Sequence, residues 1–245
     1  MDDRRVRDVL LVALTLSTGA VDAVSWIGLG KVFSAFMTGN FAFLAFRTAG
    51  IAGASVPRVV ASLAAFGVGA FVAARIVAPT RDSGSVWPRR VTLALGGVVT
   101  AQVAFLAVWV GVDGHPSSGT GNLLIAISAF AMGMQTAAIF SLGVRAVFTT
   151  AATATFAAFV GDLSSWSSSR DEMRRLAAVL VALFVGAVAG SLLMAHARSW
   201  APALPLAVSG LVVAVAAFAR RARGFPVPSA PAHFGGESSS SAPKR

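Results

Sequence analysis

The chain contains no cysteine, which excludes disulfides, Cys-ligated zinc and thiol catalysis. Charge is also scarce. Asp, Glu, Lys and Arg make up 12% of the 245 residues, about half the share usual in a soluble domain. There is no P-loop, no HExxH and no close cluster of histidines and carboxylates, so ATP hydrolysis and metal-dependent catalysis have no visible machinery. The serines in apolar runs lack a histidine partner, which argues against an intramembrane serine protease. No catalytic residue, metal site or cofactor is expected, and the chain is not read as an enzyme.

What the sequence has is apolar length. It is 56% hydrophobic, with a mean hydropathy of +0.76, and apolar runs near the spanning length of ~20 residues recur along it. The ~10-residue alternating strands of a transmembrane barrel are not seen. The expectation is an all-α integral membrane protein. Eight runs can be traced: Val9–Leu29, Phe33–Gly53, Val59–Ala78, Val91–Val112, Leu123–Val144, Phe148–Trp166, Leu176–Ala195 and Leu204–Ala219. The start, MDDRRVRD before Val9–Val21, resembles a signal peptide, but apolar character continues past Ala23, so an uncleaved first helix is expected.

The second and sixth runs differ from the rest. The second is interrupted by Thr38-Gly39-Asn40 and carries Arg47; the sixth is rich in Thr and Ala and contains Asp162. Polar, helix-breaking sequence at membrane depth is tolerated only where protein or a water-filled cavity covers it. If both runs enter the membrane and return, six spans remain. Arg4, Arg5 and Arg7 then share the inner side with Arg75, Arg81, Arg89, Arg90, Arg145, Arg170, Arg174, Arg175, Arg220, Arg221 and Arg223. Lys31, Arg47, Arg58 and Arg198 fall outside. Eight crossings would move the four-arginine loop outside, against the positive-inside rule. The predicted fold is therefore about six transmembrane helices plus two broken or re-entrant segments in a bacterial cytoplasmic (inner) membrane, both termini inside. The net charge of +10 is explained by these clusters, and no nucleic acid is expected as a partner.

The two halves echo each other. Leu29-Gly30 superimposes on Leu142-Gly143. After a two-residue insertion, Val32-Phe33 falls on Val147-Phe148, Thr38 on Thr153 and Phe41-Ala42 on Phe156-Ala157, while Asp22 falls on Gln135. Three spans per half is an odd number, so a duplication would be inverted, as in many secondary transporters. The expected organisation is a cytoplasmic N-terminus (1–8), a first membrane repeat (9–112), an external loop (113–122), a second repeat (123–220) and a disordered Pro- and Ser-rich tail (221–245).

Ionisable and amide side chains in such surroundings mark candidate sites. Asp22 offers a carboxylate for a proton or cation, or a structural ion pair with Lys31. Thr38, Gly39 and Asn40 offer a close backbone approach with a donor and an acceptor, or a helix cap. Gln135 offers an amide to the same cavity, or an interhelical hydrogen bond. Lys31, Thr153 and Asp162 are weaker candidates; Gln102 and Asn122 read as helix glue. The tryptophans fall near segment ends, as in an aromatic belt. Gly186 and Gly190 give a GxxxG spacing that suits close helix packing and permits a homo-oligomer.

These motifs together resemble the YoaK, or DUF1275, family of bacterial multi-pass membrane proteins, whose function is unassigned. The matching elements are Gly19-Ala20-Val21-Asp22-Ala23, Met37-Thr38-Gly39-Asn40 and Gly133-Met134-Gln135. Thr136 and Ala154 stand where the family often has Asn and Gly. The resemblance spans roughly Val9 to Ala219 and implies a multi-pass inner-membrane protein. From the residues, a small secondary transporter of an unknown solute or ion is expected, with the lipid bilayer as its surroundings. The alternative is a non-transporting scaffold or accessory subunit.

Overall fold

The computed structural model describes residues 3–78, 86–144, 152–165 and 170–221, and every regular element among them is helical. In chain order these are α1 (Asp3–Gly28), α2 (Met37–Thr48), α3 (Val56–Val77), α4 (Arg89–Gly111), α5 (Ser118–Phe140), α6 (Ala152–Ser165), α7 (Arg170–His196) and α8 (Ala203–Arg221). A 3-10 turn, Arg198–Trp200, joins α7 to α8. The tail expected to be disordered and the start of the sixth apolar run lie outside the described residues.

Local signals explain the boundaries. Pro57 sits in the first turn of α3, where its missing N–H costs no intrahelical bond. Ser117 caps α5 by accepting from the Thr120 amide at 3.3 Å. After α1 the chain turns through left-handed backbone at Gly30 (φ 81°) and Lys31 (φ 61°). Six helical segments are long and apolar enough to span a membrane. The two short helices are not: α2 has 12 residues and rises ~18 Å, against a hydrocarbon core of ~30 Å.

Neighbour contacts give each helix a direction. Leu16 lies against Gly186 and Ala20 against Gly190, so α1 and α7 advance together. Arg58 lies beside Gly121, and Phe66 and Ala70 straddle Gly133, so α3 and α5 are parallel too. Gln135 reaches back to Thr18, while Ser128 and Met132 share a cavity wall with Val24 and Val21, so α5 opposes α1. Trp109 bonds Arg198, and Gln102 faces the same cavity as Pro205, so α8 opposes α4. Hence α1, α4 and α7 run one way and α3, α5 and α8 the other. This pattern arises only if α2 and α6 return to the side from which they start. It also gathers the N-terminal arginines, Val86, Gly143 and Arg174 at one end of the bundle.

The tightest seams are built on glycine. A Cβ at Gly19 would meet the Leu183 carbonyl oxygen and, at 2.8 Å, the Ala187 nitrogen. One at Gly133 would meet the Phe66 carbonyl and, at 2.9 Å, the Ala70 nitrogen. Gly186 faces the Leu16 carbonyl as Gly69 faces that of Phe130. These contacts repeat with constant offsets: 114 residues from α1 to α5 (Leu16 to Phe130) and 117 from α3 to α7 (Gly69 to Gly186). The α1–α7 and α3–α5 seams are therefore built alike, and the first and second halves interleave rather than sit side by side. The GxxxG face of α7 is spent on α1 inside the chain, so it is not a surface for a second copy.

Two buried layers fill the bundle. One, toward the arginine-rich end, contains Leu11, Leu14, Leu95 and Met132; the other, toward the opposite end, contains Leu29, Val59, Trp109 and Ile125. Trp109 is fully buried. It donates its indole N–H to the Arg198 carbonyl at 2.9 Å, so it is a core residue and not part of an interfacial belt. The outer faces carry large exposed apolar side chains, among them Phe71, Phe184, Leu211 and Phe218, as lipid contact requires.

Candidate functional site

Two polar assemblies are built by the residues the sequence singled out as candidate sites, and a third centres on Gln102, which the sequence reads as helix glue. The first is a clasp on the α1–α2 connection. Asp22 Oδ1 accepts from the backbone amides of Ser34 (2.9 Å) and Ala35 (2.8 Å). These amides immediately precede α2, so the carboxylate sits at the positive end of that helix. Ser25 and Ser34 share a hydrogen bond of 2.5 Å alongside. Asn40, one turn into α2 and fully buried, takes both polar groups of Phe33: its Oδ1 accepts from the Phe33 N–H at 3.0 Å and its Nδ2 donates to the carbonyl at 2.7 Å. The same Nδ2 lies 3.0 Å from Ser62 Oγ, which itself donates to the Phe33 carbonyl, tying the loop to α3.

The break in the second run is therefore the loop before Met37, and Thr38-Gly39-Asn40 forms the first turn of a helix. Asn40 explains the difference, because it satisfies the Phe33 backbone that the loop leaves without helical partners. Gly39 is needed for packing: a Cβ there would lie 2.7 Å from the Phe36 ring and 3.1 Å from that of Phe33. Phe33 in turn stacks on Trp26 at 4.9 Å and on Phe43 at 5.9 Å. Thr38 and Lys31 are exposed and take no part in the clasp. Asn40→Leu is expected to cost about 2 kcal/mol by leaving the Phe33 N–H buried without an acceptor. Thermal unfolding in detergent checks this; an unchanged midpoint would mean that the aromatic stack alone holds the loop.

The second assembly lies about one turn along α1. Gln135 is fully buried and its Nε2 donates to Thr18 Oγ1 at 2.9 Å. Its Oε1 has no partner among the described residues. The 114-residue offset between the glycine contacts of α1 and α5 carries Asp22 to Thr136, one residue from Gln135 and on another face of the helix. Thr136 donates to the Met132 carbonyl of its own helix at 2.7 Å. Thr153 is exposed on α6. Asp162 lies in α6, and its side chain is outside the described part of the structure.

The third is a cavity of about 20 Å³ where α1, α4, α5 and α8 meet, lined by Val21, Val24, Gln102, Phe105, Ser128, Met132, Pro202 and Pro205 among others. Gln102 is 6% exposed, and neither atom of its amide has a partner among the described residues. An unpaired buried amide costs about 1–3 kcal/mol per lost partner, so this side chain is not explained by packing. Neither Asp22 nor Asn40 lines the cavity, and Gln135 lies one turn away. A lone Gln in an apolar helix reads as an interhelical bond, and nothing in the sequence reveals that the bond is missing.

At the same end as the clasp, Arg58 gathers three segments. It donates to the Leu29 carbonyl (3.0 Å), Asn122 Oδ1 (3.1 Å) and the Ser118 carbonyl (3.2 Å). Asn122 thus acts as glue, as read. Gly30 and Gly121 both lie under the guanidinium, where a Cβ would stand 2.5 and 2.8 Å from its nitrogens.

The comparisons agree with this architecture. A family described as "Protein of unknown function (DUF1275)" matches residues 10–216, which reach into all six spans and include all three polar assemblies. The chain belongs to the DUF1275 family. Over 158 residues, this DUF1275 chain is 30% identical to the UPF0700 transmembrane protein YoaK of Bacillus subtilis (strain 168), an alignment covering 64% of this chain and 68% of that one. No solved structure matches the chain. Membership establishes a multi-pass membrane protein and brings no substrate with it.

Proposed function

We propose that this protein is a small secondary carrier of the bacterial cytoplasmic membrane, built by inverted duplication around a polar centre. The observation that carries the reading is the equivalence of the two glycine seams in helices of opposite direction. Gly19 against Leu183 and Ala187 repeats as Gly133 against Phe66 and Ala70. Two like units inserted in opposite senses are related by a pseudo-two-fold axis in the membrane plane, and exchange of their conformations is the geometric basis of alternating access. The clustered arginines at the end where α1 begins favour a cytoplasmic location for that end and for both termini.

A second reading, a non-transporting scaffold, is favoured by one specific fact: the polar atoms of Asp22 and Asn40 that bond do so within the chain. Flux separates the two readings. Purified protein in vesicles is expected to move solute faster than empty vesicles; a scaffold would not.

The absence of cysteine makes the orientation directly testable. Ser55, before α3, and Arg89, at the start of α4, are both exposed and lie at opposite ends of the bundle. In intact cells, Ser55→Cys is expected to react with an impermeant thiol reagent and Arg89→Cys only after permeabilisation. The reverse result would invert the orientation. Labelling of both from outside would break the six-span scheme.

A further inference from the structure

We propose that the cavity between α1, α4, α5 and α8 is the solute site, and that it takes a small uncharged solute carrying both a hydrogen-bond donor and an acceptor. This rests on the carrier reading above and adds a chemical class to it.

The argument begins with Gln102. Its amide presents one acceptor and a two-proton donor, and neither has a protein partner among the described residues. Buried polar atoms in a membrane bundle are nearly always paired, since the lipid offers nothing in exchange. An amide unpaired at both ends, on a side chain 6% exposed, is therefore aimed at something the protein does not itself supply. Ser128 adds a hydroxyl to the same wall. A complementary occupant would accept from Nε2, donate to Oε1 and exchange a bond with Ser128.

The rest of the lining sets the charge and the size. Phe105, Met132, Pro202 and Pro205 are apolar, and among the described residues no ionisable side chain lines the cavity. A bare ion there would lose its hydration and meet no countercharge, whereas a neutral dipole loses far less. The volume of about 20 Å³ holds about one water molecule in this state. A larger occupant enters as α1 and α5, which touch each other only lightly, move apart. The residues around the cavity come from four helices of both halves, so relative movement of the halves would change its shape and access.

Formamide, urea and glycerol serve as neutral probes, with water as the smallest. The full chain is reconstituted in vesicles, and the rate of volume recovery after an osmotic step is read by light scattering. Proton, sodium and potassium fluxes are read in parallel with dyes. At least one neutral probe is expected to cross about tenfold faster than in empty vesicles, and Gln102→Leu to remove that gain. Gln102→Leu should also leave the thermal midpoint in detergent unchanged or raised, because it deletes unpaired amide atoms. A fall in midpoint would show a structural role and overturn the assignment. Neutral flux indifferent to Gln102, or Gln102-dependent ion flux without neutral flux, would overturn the assignment and keep the carrier. No flux of any probe or ion above empty vesicles would remove the carrier reading, and this site with it.

Discussion

Gly133→Leu is expected to pry α3 from α5 and to be among the most damaging single changes in the chain. The first carbon of any side chain at this position would fall on the Phe66 carbonyl oxygen and within 2.9 Å of the Ala70 nitrogen. Both are backbone atoms and cannot rotate away. Relief requires the helices to separate along the seam, which also opens the contact between Gly69 and Phe130. Overpacking of this kind costs about 3 kcal/mol or more, or about 10 °C in the thermal midpoint for a chain of this length. The measurement is thermal unfolding of detergent-purified protein, with Gly96→Ala as the control. No heavy atom lies within 4 Å of a Cβ at Gly96, and alanine is the better helix former, so that variant should match or exceed the parent. If Gly133→Leu were as stable as the parent, the seam would not be the close backbone contact described.

Asp22→Ala is expected to release the α1–α2 connection. It removes the acceptor of two backbone amides at once, and bonds to a charged acceptor contribute about 1.5–3 kcal/mol each. A loss of about 3 kcal/mol or more is anticipated, with faster hydrogen exchange at Ser34 and Ala35 while the amides of α7 stay protected. Asp22→Asn keeps one acceptor oxygen and should lie between the two. Equal protection of Ser34 and Ala35 in the alanine variant would show that Asn40 and Ser62 suffice to hold the loop, and would free Asp22 for another role. The predicted part of Asp22 as a direct solute ligand is thus set against a structural part that the geometry supplies in full.

How much of this was legible in the sequence follows from what each signal depends on. The six spans and the two short segments follow from run length and arginine placement, both local properties. The importance of Asp22 and of Thr38-Gly39-Asn40 was visible as polarity out of place. Their partners were not, because Asp22 reaches 12 residues along the chain and Asn40 reaches 22, to Ser62. The echo between the halves pairs Asp22 with Gln135, whereas the 114-residue offset between the glycine contacts of α1 and α5 would pair it with Thr136. Matching Leu and Gly pairs in loops say little about helix faces; the seam glycines fix the face. Gln102 reads as helix glue because an amide on an apolar helix usually has a bond, and only three dimensions show that this one has none among the described residues. The GxxxG pair on α7 correctly signalled close packing, but the sequence could not say that its partner is α1.

The interleaving of the halves also governs how the molecule is made. The seam partner of α1 is α7, the last but one helix to be synthesised, and α8 packs on it as well; within its own half α1 meets only side chains such as Phe43 of α2 at Trp26 and Trp109 of α4 at Gly28. When the first three spans have left the ribosome, the Gly19 face has nothing to close on, and the glycine face of α3 still waits for α5. The N-terminal half can by then hold its Asp22 and Asn40 bonds, while both glycine seams stay open. The α1 seam closes late, only when α7 comes to lie alongside the first helix to be inserted.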